Sequence, residues 1–309
     1  MRDNKIRYSL INRIFERVYR LKCQKRFGFT FLSNIMLKIS DPIIKTIVNG
    51  QECYINFSHQ GVYFMYVFPN YDKNLGKICQ YLKNKYKRNL FVVDVGANVG
   101  DTILCIGDKE NYYYAVEGEQ RYYSLLRKNL SEYNYELIEG YCGDKDDNNS
   151  FRVNYVDGTG SLVPEENGKS VGIRTMDSIL SGVAMTTDFI KIDTDGFDFA
   201  IIRGMEKTLI KDRPVLYFEW TAPELMHNNE DLLSAFVQLN GIGYNRGLIF
   251  DNFGNFLCTI ETQNLVLLRQ LIEYSLDSGI YYDVCLFHES NDIDLFDMVK
   301  IWRHSVAHE

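Results

Sequence analysis

The sequence predicts an α/β protein with a mostly parallel, doubly wound sheet. From Leu90 onward, short apolar runs typical of buried strands alternate with segments of helical periodicity. The first run, residues 91–95, leads into a loop with two glycines and a helix start, and the next run ends in the acid Glu117. The alternation indicates βαβ units, and the loop and the acid indicate a ligand at the carboxyl ends of the strands.

We predict seven strands in this sheet, with helices on both faces. The strands are expected near residues 90–95, 112–117, 135–140, 188–193, 214–220, 243–250 and 281–287. The helices are expected near residues 100–107, 119–132, 176–182, 197–210, 229–240 and 264–276. We assign residues 89–309 to this ligand-binding domain and residues 1–88 to an N-terminal extension.

The extension opens with a basic amphipathic segment, in which apolar residues recur at helical spacing between Ile6 and Leu21. Such a helix could lie on an anionic membrane surface, or it could pack on the main domain or on a second subunit, and we favour packing of one of these two kinds. Asn49-Gly50 between two strand-like runs predicts a β-hairpin. Residues 61–68 are interpreted as a further strand and residues 71–88 as a helix.

The glycine loop is the first candidate site. Gly96 permits a sharp turn, Gly100 permits a helix to start close to the strand, and Thr102 lies in the first turn of that helix. A dinucleotide fingerprint has a middle glycine that admits the pyrophosphate, whereas this loop has Asn98. NAD or FAD is therefore a weaker interpretation, as is a plain βαβ unit whose glycines only serve packing.

Two acids near the loop indicate S-adenosylmethionine (SAM). Glu117 follows the loop by about 20 residues, where a carboxylate can accept hydrogen bonds from both hydroxyls of a ribose. Asp94, in the strand before the loop, could face the cationic amino group of the methionine part. The loop and these acids together predict a SAM site, and therefore methyl transfer.

A second cluster follows the strand predicted near 188–193. Asp193 and Asp195 end that strand, Glu219 ends the next one, and Lys191 alternates with them. A partly desolvated carboxylate can remove the proton of an attacking hydroxyl, so Asp193 and Glu219 are the candidate bases. Lys191 could hold a neighbouring carboxylate. These acids could also bind Mg²⁺ through oxygen ligands, which we do not favour; we assign no metal ligands.

Composition excludes some classes of protein. The chain has 34 Lys and Arg against 41 Asp and Glu, a net charge of −7, which disfavours a nucleic-acid binder. Its seven cysteines lack metal-ligand spacing and indicate reduced thiols. With no signal peptide and no apolar run long enough to span a membrane, we expect a cytoplasmic protein.

At these residues the chain resembles the FkbM family of SAM-dependent methyltransferases. The stretches that carry the resemblance, in matching order, are D-V-G-A-N-V-G (94–100), A-V-E-G (115–118), R-T-M-D-S-I-L (174–180), I-K-I-D-T-D-G-F-D (190–198), R-G-M-E-K-T-L (203–209) and L-Y-F-E (216–219). Many members have K-I-D-x-E-G, whereas Asp195 stands here in place of that glutamate.

The resemblance implies a class I (Rossmann-like) methyltransferase fold and O-methylation, often of a sugar hydroxyl. The residues that it implies for SAM binding are Asp94, Gly96, Asn98 and Glu117 with the adjoining Gly118, and Cys142, Gly143 and Asp144 bordering the adenine. We therefore expect an O-methyltransferase of a carbohydrate acceptor. Methylation of a small metabolite or carboxylate, and a SAM-binding subunit without turnover, stay as alternatives. The loop at 155–161 could cover the acceptor or be a solvated hairpin.

Overall fold

Among the described residues, the N-terminal part of the chain forms four helices and a hairpin. The computed structural model describes residues 10–147, 150–156, 159–164, 169–170 and 172–303. The elements of this part are α1 (Leu10–Cys23), α2 (Phe29–Leu37), β1 (Ile43–Val48), β2 (Gln51–Asn56), α3 (Gly61–Val67) and α4 (Lys73–Tyr86). Strands β1 and β2 pair antiparallel across Asn49 and Gly50, both at positive φ, which confirms the predicted hairpin.

The remaining chain alternates strands with helices, as the periodicity predicts. The first half comprises β3 (Phe91–Val95), α5 (Asp101–Ile106), β4 (Tyr112–Glu117), α6 (Gln120–Asn129), β5 (Asn134–Glu139), β6 (Tyr141–Cys142), β7 (Ser150–Val156), β8 (Thr159–Pro164), β9 (Lys169–Ser170), β10 (Ile173–Arg174) and α7 (Met176–Leu180). The second half comprises β11 (Phe189–Ile192), α8 (Asp198–Arg203), α9 (Glu206–Asp212), β12 (Val215–Trp220), α10 (Ala222–His227), α11 (Ser234–Gly241), β13 (Tyr244–Asp251), β14 (Phe256–Glu261), α12 (Leu265–Ser278), β15 (Tyr282–His288) and α13 (Leu295–Arg303).

The main sheet has the strand order β14-β13-β15-β12-β11-β3-β4-β5. Strands β5, β4, β3, β11 and β12 are parallel, and β15 runs antiparallel between β12 and β13. This is a class I, Rossmann-like fold. The prediction of seven strands is wrong by one, because β14 returns antiparallel on β13 after a tight turn. The strand order reverses beside β3, so a ligand crevice is expected at the carboxyl ends of β3 and β11.

The two faces of the sheet bury different groups. On one face Val93 and Ile190 belong to an apolar cluster with α8, α11 and α12. On the other, Val92 and Phe189 join a cluster that continues into α1, the hairpin and α4. Because side chains alternate along a strand, Asp94 and Lys191, paired in register on β3 and β11, point to this second face. The assignment of residues 1–88 as a separate unit stays a prediction.

One interpretation in the extension is wrong. Residues 61–68, expected as a strand, contain the helix α3. Their aromatic and β-branched side chains favour strands, but the run is apolar throughout and carries no period that distinguishes the two structures. In the structure the Val62 N–H donates to Nδ1 of His59 (3.3 Å), which supplies a partner for one amide of the first helical turn.

Among the described residues, no helix is long and apolar enough to cross a membrane. The predicted acceptor loop lies largely outside the described residues, since Asp157 and the side chains of Thr159 and Ser161 are not described. Its role stays a prediction.

Candidate active site

A cleft of about 790 Å³ opens at the carboxyl ends of β3, β4 and β11. Gly96 and Asn98 line it from the loop after β3, Glu117 and Gly118 from the end of β4, and Cys142 from β6. The sequence-predicted cofactor residues therefore meet at this cleft from three separate elements. Its walls also include side chains that the sequence did not single out, namely Tyr122, Tyr141, Phe197 and Ile201.

Glu117 is the polar centre of the first cleft. It is buried, and its two carboxylate oxygens accept the backbone N–H groups of Asn98 (2.7 Å) and Glu119 (2.6 Å). Burial raises its pKa to about 7, although the hydrogen bonds from the two backbone N–H groups oppose that shift. A carboxylate accepts about four hydrogen bonds, so each oxygen retains capacity for a ribose hydroxyl. The residues present therefore fit the nucleoside part of SAM.

Two of the glycines have a packing reason for lacking a side chain. Gly96 has a φ of +82°, and a Cβ on it would lie 2.0 Å from the backbone oxygen of Asp193. A Cβ on Gly118 would lie 2.4 Å from the ring of Tyr141. Gly96 thus lets the loops after β3 and β11 touch, which brings the two predicted clusters into one site.

Other predicted cofactor residues lie around the cleft in different ways. Of the three residues expected near the adenine, Cys142 lines the cleft. The backbone N–H of Gly143 donates to the backbone oxygen of Arg174, and the carboxylate of Asp144 lies 3.9 Å from the guanidinium of Arg203. Thr102, in the first turn of α5, lines a second cleft next to the first.

Lys191 joins the two predicted clusters. Its Nζ lies 3.1 Å from Asp193 Oδ2 and 3.5 Å from Asp94 Oδ1, and its side chain is almost completely buried. Neither oxygen of Asp94 accepts a hydrogen bond from the described part of the chain. Burial raises the pKa of Asp94 to about 6 even with Lys191 lowering it. The cation beside Asp94 in this structure is thus the ammonium group of Lys191.

Further acids surround this pair. Asp198 accepts hydrogen bonds from the backbone N–H groups of Thr194 and Glu219, both at 3.2 Å. Glu219 pairs in register with Asp283 on β15. Burial raises the pKa of Asp198 and of Asp283 to about 7 and that of Glu219 well above its ordinary value. Across the described residues, no three His, Cys, Asp or Glu side chains are grouped so that they could hold a metal ion.

The second cleft, of about 910 Å³, lies against the first and shares part of its wall. The residues common to both are Gly96, Asn98, Tyr122, Asp193 and Asp195. The rest of its lining comes largely from the extension, including Asp41, Asn56, Ser58, His59 and Asp72. Asp193 is half exposed where the two clefts meet. Sequence reasoning missed these residues because they precede the motif, and only the predicted hairpin signals their region.

His59 connects the extension with the cofactor loop. Its Nδ1 accepts from the Val62 N–H, which leaves Nε2 protonated in the neutral ring and able to donate to Asn98 Oδ1 at 3.3 Å. Both ring nitrogens are then occupied, so His59 positions Asn98 and has no free lone pair with which to act as a base.

Comparison with known proteins gives the same assignment. Residues 94–244 match the methyltransferase FkbM domain, a span that begins at Asp94 and contains every predicted site residue. The chain therefore contains an FkbM methyltransferase domain over residues 94–244. This assigns the chain in general terms to the SAM-dependent methyltransferases, in agreement with its class I fold. No curated protein matches the chain.

Several solved structures resemble this chain at low sequence identity. The FkbM methyltransferase of Methylobacillus flagellatus KT is 18% identical (TM-score 0.34), and the match covers 48% of this chain and 37% of that one. The precorrin-6y C5,15-methyltransferase of Geobacter metallireducens GS-15 is 13% identical (TM-score 0.37; 65% and 81% covered). The plantazolicin methyltransferase BpumL, in complex with S-adenosylhomocysteine (SAH), is 11% identical (TM-score 0.37; 70% and 83% covered).

Proposed function

We propose that this FkbM protein methylates a hydroxyl of a carbohydrate, in a surface polysaccharide, a glycolipid or an activated sugar. The observation that carries the proposal is the second cleft, which is polar and meets the cofactor cleft at Asp193. A sugar ring presents hydroxyl groups around its whole edge. The carboxylates, amides and hydroxyls of Asp41, Asn56 and Ser58 provide matching donors and acceptors.

In this proposal the first cleft holds SAM, with Glu117 accepting the ribose hydroxyls. When bound, SAM supplies an electrophilic methyl group. Asp193, exposed to both clefts, is the base that takes the proton of the acceptor hydroxyl. Lys191, 3.1 Å away, balances the charge of Asp193. Glu219 lies one strand further along the sheet, beside Asp283, and is the second candidate.

The excess of acids argues against one alternative. The second cleft is lined by five acids, Asp41, Asp72, Asp101, Asp193 and Asp195, and by two cations, Lys191 and Arg121. Burial raises the pKa of Asp72 well above its usual range and that of Asp195 to about 8, but the three other acids still outnumber the cations. A carboxylate acceptor is therefore disfavoured relative to a neutral one. A small hydroxylated metabolite and a silent SAM-binding subunit both stay open to experiment.

Transfer from labelled SAM to a panel of acceptors tests the proposal. The panel contains neutral oligosaccharides, glycolipids, nucleotide sugars and free carboxylates. We expect label in a sugar, and we expect Asp193→Asn to lower kcat about 100-fold while SAH binding persists, because a positioned base typically contributes that much. Glu219→Gln is the comparison variant and should lose less.

Three outcomes would contradict the proposal. Label only in carboxylates or amines would remove the carbohydrate acceptor. Full turnover in Asp193→Asn would remove the assigned base. SAH binding with no transfer to any acceptor would favour the silent subunit.

A further inference from the structure

The helix α2 is apolar on both faces. Its sequence, F-T-F-L-S-N-I-M-L, has no charged residue. One face, with Phe29, Met36 and Leu37, packs against the hydrophobic core. The polar residues of α2 are Thr30, Ser33 and Asn34, which leaves apolar side chains on both faces. A helix with apolar side chains on both faces is normally buried on both, so the other face of α2 is unusual.

That other face is open. Phe31 is 71% exposed, and Leu32 and Ile35 on the same face are 38% and 42% exposed. Just beyond the two ends of the helix, Phe27 is fully exposed and Ile39 is 78% exposed. We name these five side chains the apolar surface. Two phenylalanines and three aliphatic side chains close together are more than the scattered exposed residues of an ordinary surface.

The helix α1 is fixed partly by the predicted apolar stripe, because Phe15 and Val18 are buried, whereas Ile14 of the same stripe is 55% exposed. Phe15 and Tyr19 are buried, with the Phe15 ring 4.8 Å from that of Phe57, and Asn12 Nδ2 donates to the Ile43 oxygen at 2.7 Å. These contacts pack α1 against the hairpin segment of the extension. The opposite side of α1 is solvent-exposed and carries Arg13, Arg17 and Arg20.

Basic side chains lie on α1, which contacts α2, and in the segments that flank α2. The exposed members are Arg13, Arg17, Arg20, Lys25, Arg26 and Lys38. The first 39 residues contain ten of the 34 Lys and Arg but only two of the 41 Asp and Glu of the chain. The rest of the protein is therefore strongly acidic. A negatively charged bilayer would attract this end and repel the other, which would orient the molecule.

We propose that the apolar surface and these basic side chains dock the protein on an anionic lipid bilayer. The phenylalanine and aliphatic side chains enter the interface between headgroups and acyl chains, while the arginines and lysines contact the lipid phosphates. Docking would place the second cleft close to the lipid, because Asp41 in its wall follows Ile39 by two residues. The docking itself does not depend on the identity of the acceptor.

Sedimentation of the full chain with vesicles tests this proposal. The vesicles contain phosphatidylcholine with or without phosphatidylglycerol. One variant combines Phe27→Ser, Phe31→Ser and Ile35→Ser, and a second combines Arg13→Gln, Arg17→Gln and Arg20→Gln. The control replaces two exposed apolar residues elsewhere, Val237→Ser and Val266→Ser, which are 58% and 69% exposed.

We expect binding to the anionic vesicles that is at least about tenfold weaker in each of the two variants and at high salt, and unchanged in the control. SAH binding should be the same in all four proteins, which shows that each is folded. Equal vesicle binding by the wild type and both variants would overturn the proposal. So would concentration-dependent pairing of the wild type that the serine variant abolishes, because a second copy would then cover the apolar surface.

Discussion

The two clefts of the site differ in how their charged side chains are arranged. The first has one central acid, Glu117, whose two oxygens each already accept a backbone N–H. The second is lined by several acids, among them Asp72, Asp101 and Asp193, and by the buried Lys191. In our proposal a ligand of fixed chemistry, the nucleoside, is held by one hydrogen-bonded acid in a short motif. The acceptor is instead selected by the shape and net charge of a surface that distant segments of the chain form together.

The largest effect that we expect is a loss of stability on replacing Lys191, the buried cation of the second cleft. Lys191→Met leaves Asp94 buried without its partner, and breaking a buried pair in this way costs about 3–5 kcal/mol of unfolding free energy. Burial already holds the pKa of Asp94 near 6, and removing the lysine raises it further above the unfolded value. Proton uptake then offsets the cost at low pH, so the loss should be smaller at pH 6 than at pH 8.

Urea unfolding at the two pH values measures this loss. The matched control is Asp94→Asn combined with Lys191→Met, which removes both charges and should recover most of the stability. A loss of the same size at both pH values would show that Asp94 does not carry the uncompensated charge.

The second effect is a loss of SAH affinity on replacing Glu117, the central acid of the first cleft. Glu117→Gln keeps the shape of the side chain but offers an amide donor to an N–H group, and hydrogen bonds to charged groups contribute about 1.5–3 kcal/mol. We therefore expect SAH affinity to fall about 10–100-fold, measured by calorimetry. Glu136→Gln, an exposed acid of the neighbouring strand, is the matched control and should bind normally.

The same pair of proteins tests the charge of Glu117. Its pKa is about 7 in the folded protein, so the fraction of carboxylate falls as the pH drops through that value. If the ionised form binds the ribose, wild-type affinity decreases by up to about tenfold per pH unit below 7, while the glutamine variant shows no such slope. A slope that persists in the variant would assign the titration to another group.

The difference between the two clefts also explains how much of the site the sequence predicts. The glycine loop and Glu117 lie within one βαβ unit, so local spacing is enough to predict that they line one cleft. His59 and Asp41 reach the site only through the fold of the extension. The helix α3 is predicted as a strand because its apolar run shows no periodicity that distinguishes a helix from a strand. Lys191 was placed by strand alternation, but its position between Asp94 and Asp193 needs the register of β3 with β11.

The smallest effect tests whether the two clefts are built independently. His59→Ala removes the partner of the Asn98 side chain, while the Asn98 N–H still donates to Glu117. A neutral hydrogen bond contributes about 0.5–1.5 kcal/mol, so SAH affinity should fall about 2–10-fold, less than in Glu117→Gln. Calorimetry compares the two variants directly, and thermal melting reports any loss of α3. A loss in folded His59→Ala as large as that of Glu117→Gln would mean that the extension builds the cofactor cleft as much as the acceptor cleft, and the contrast between them would fail.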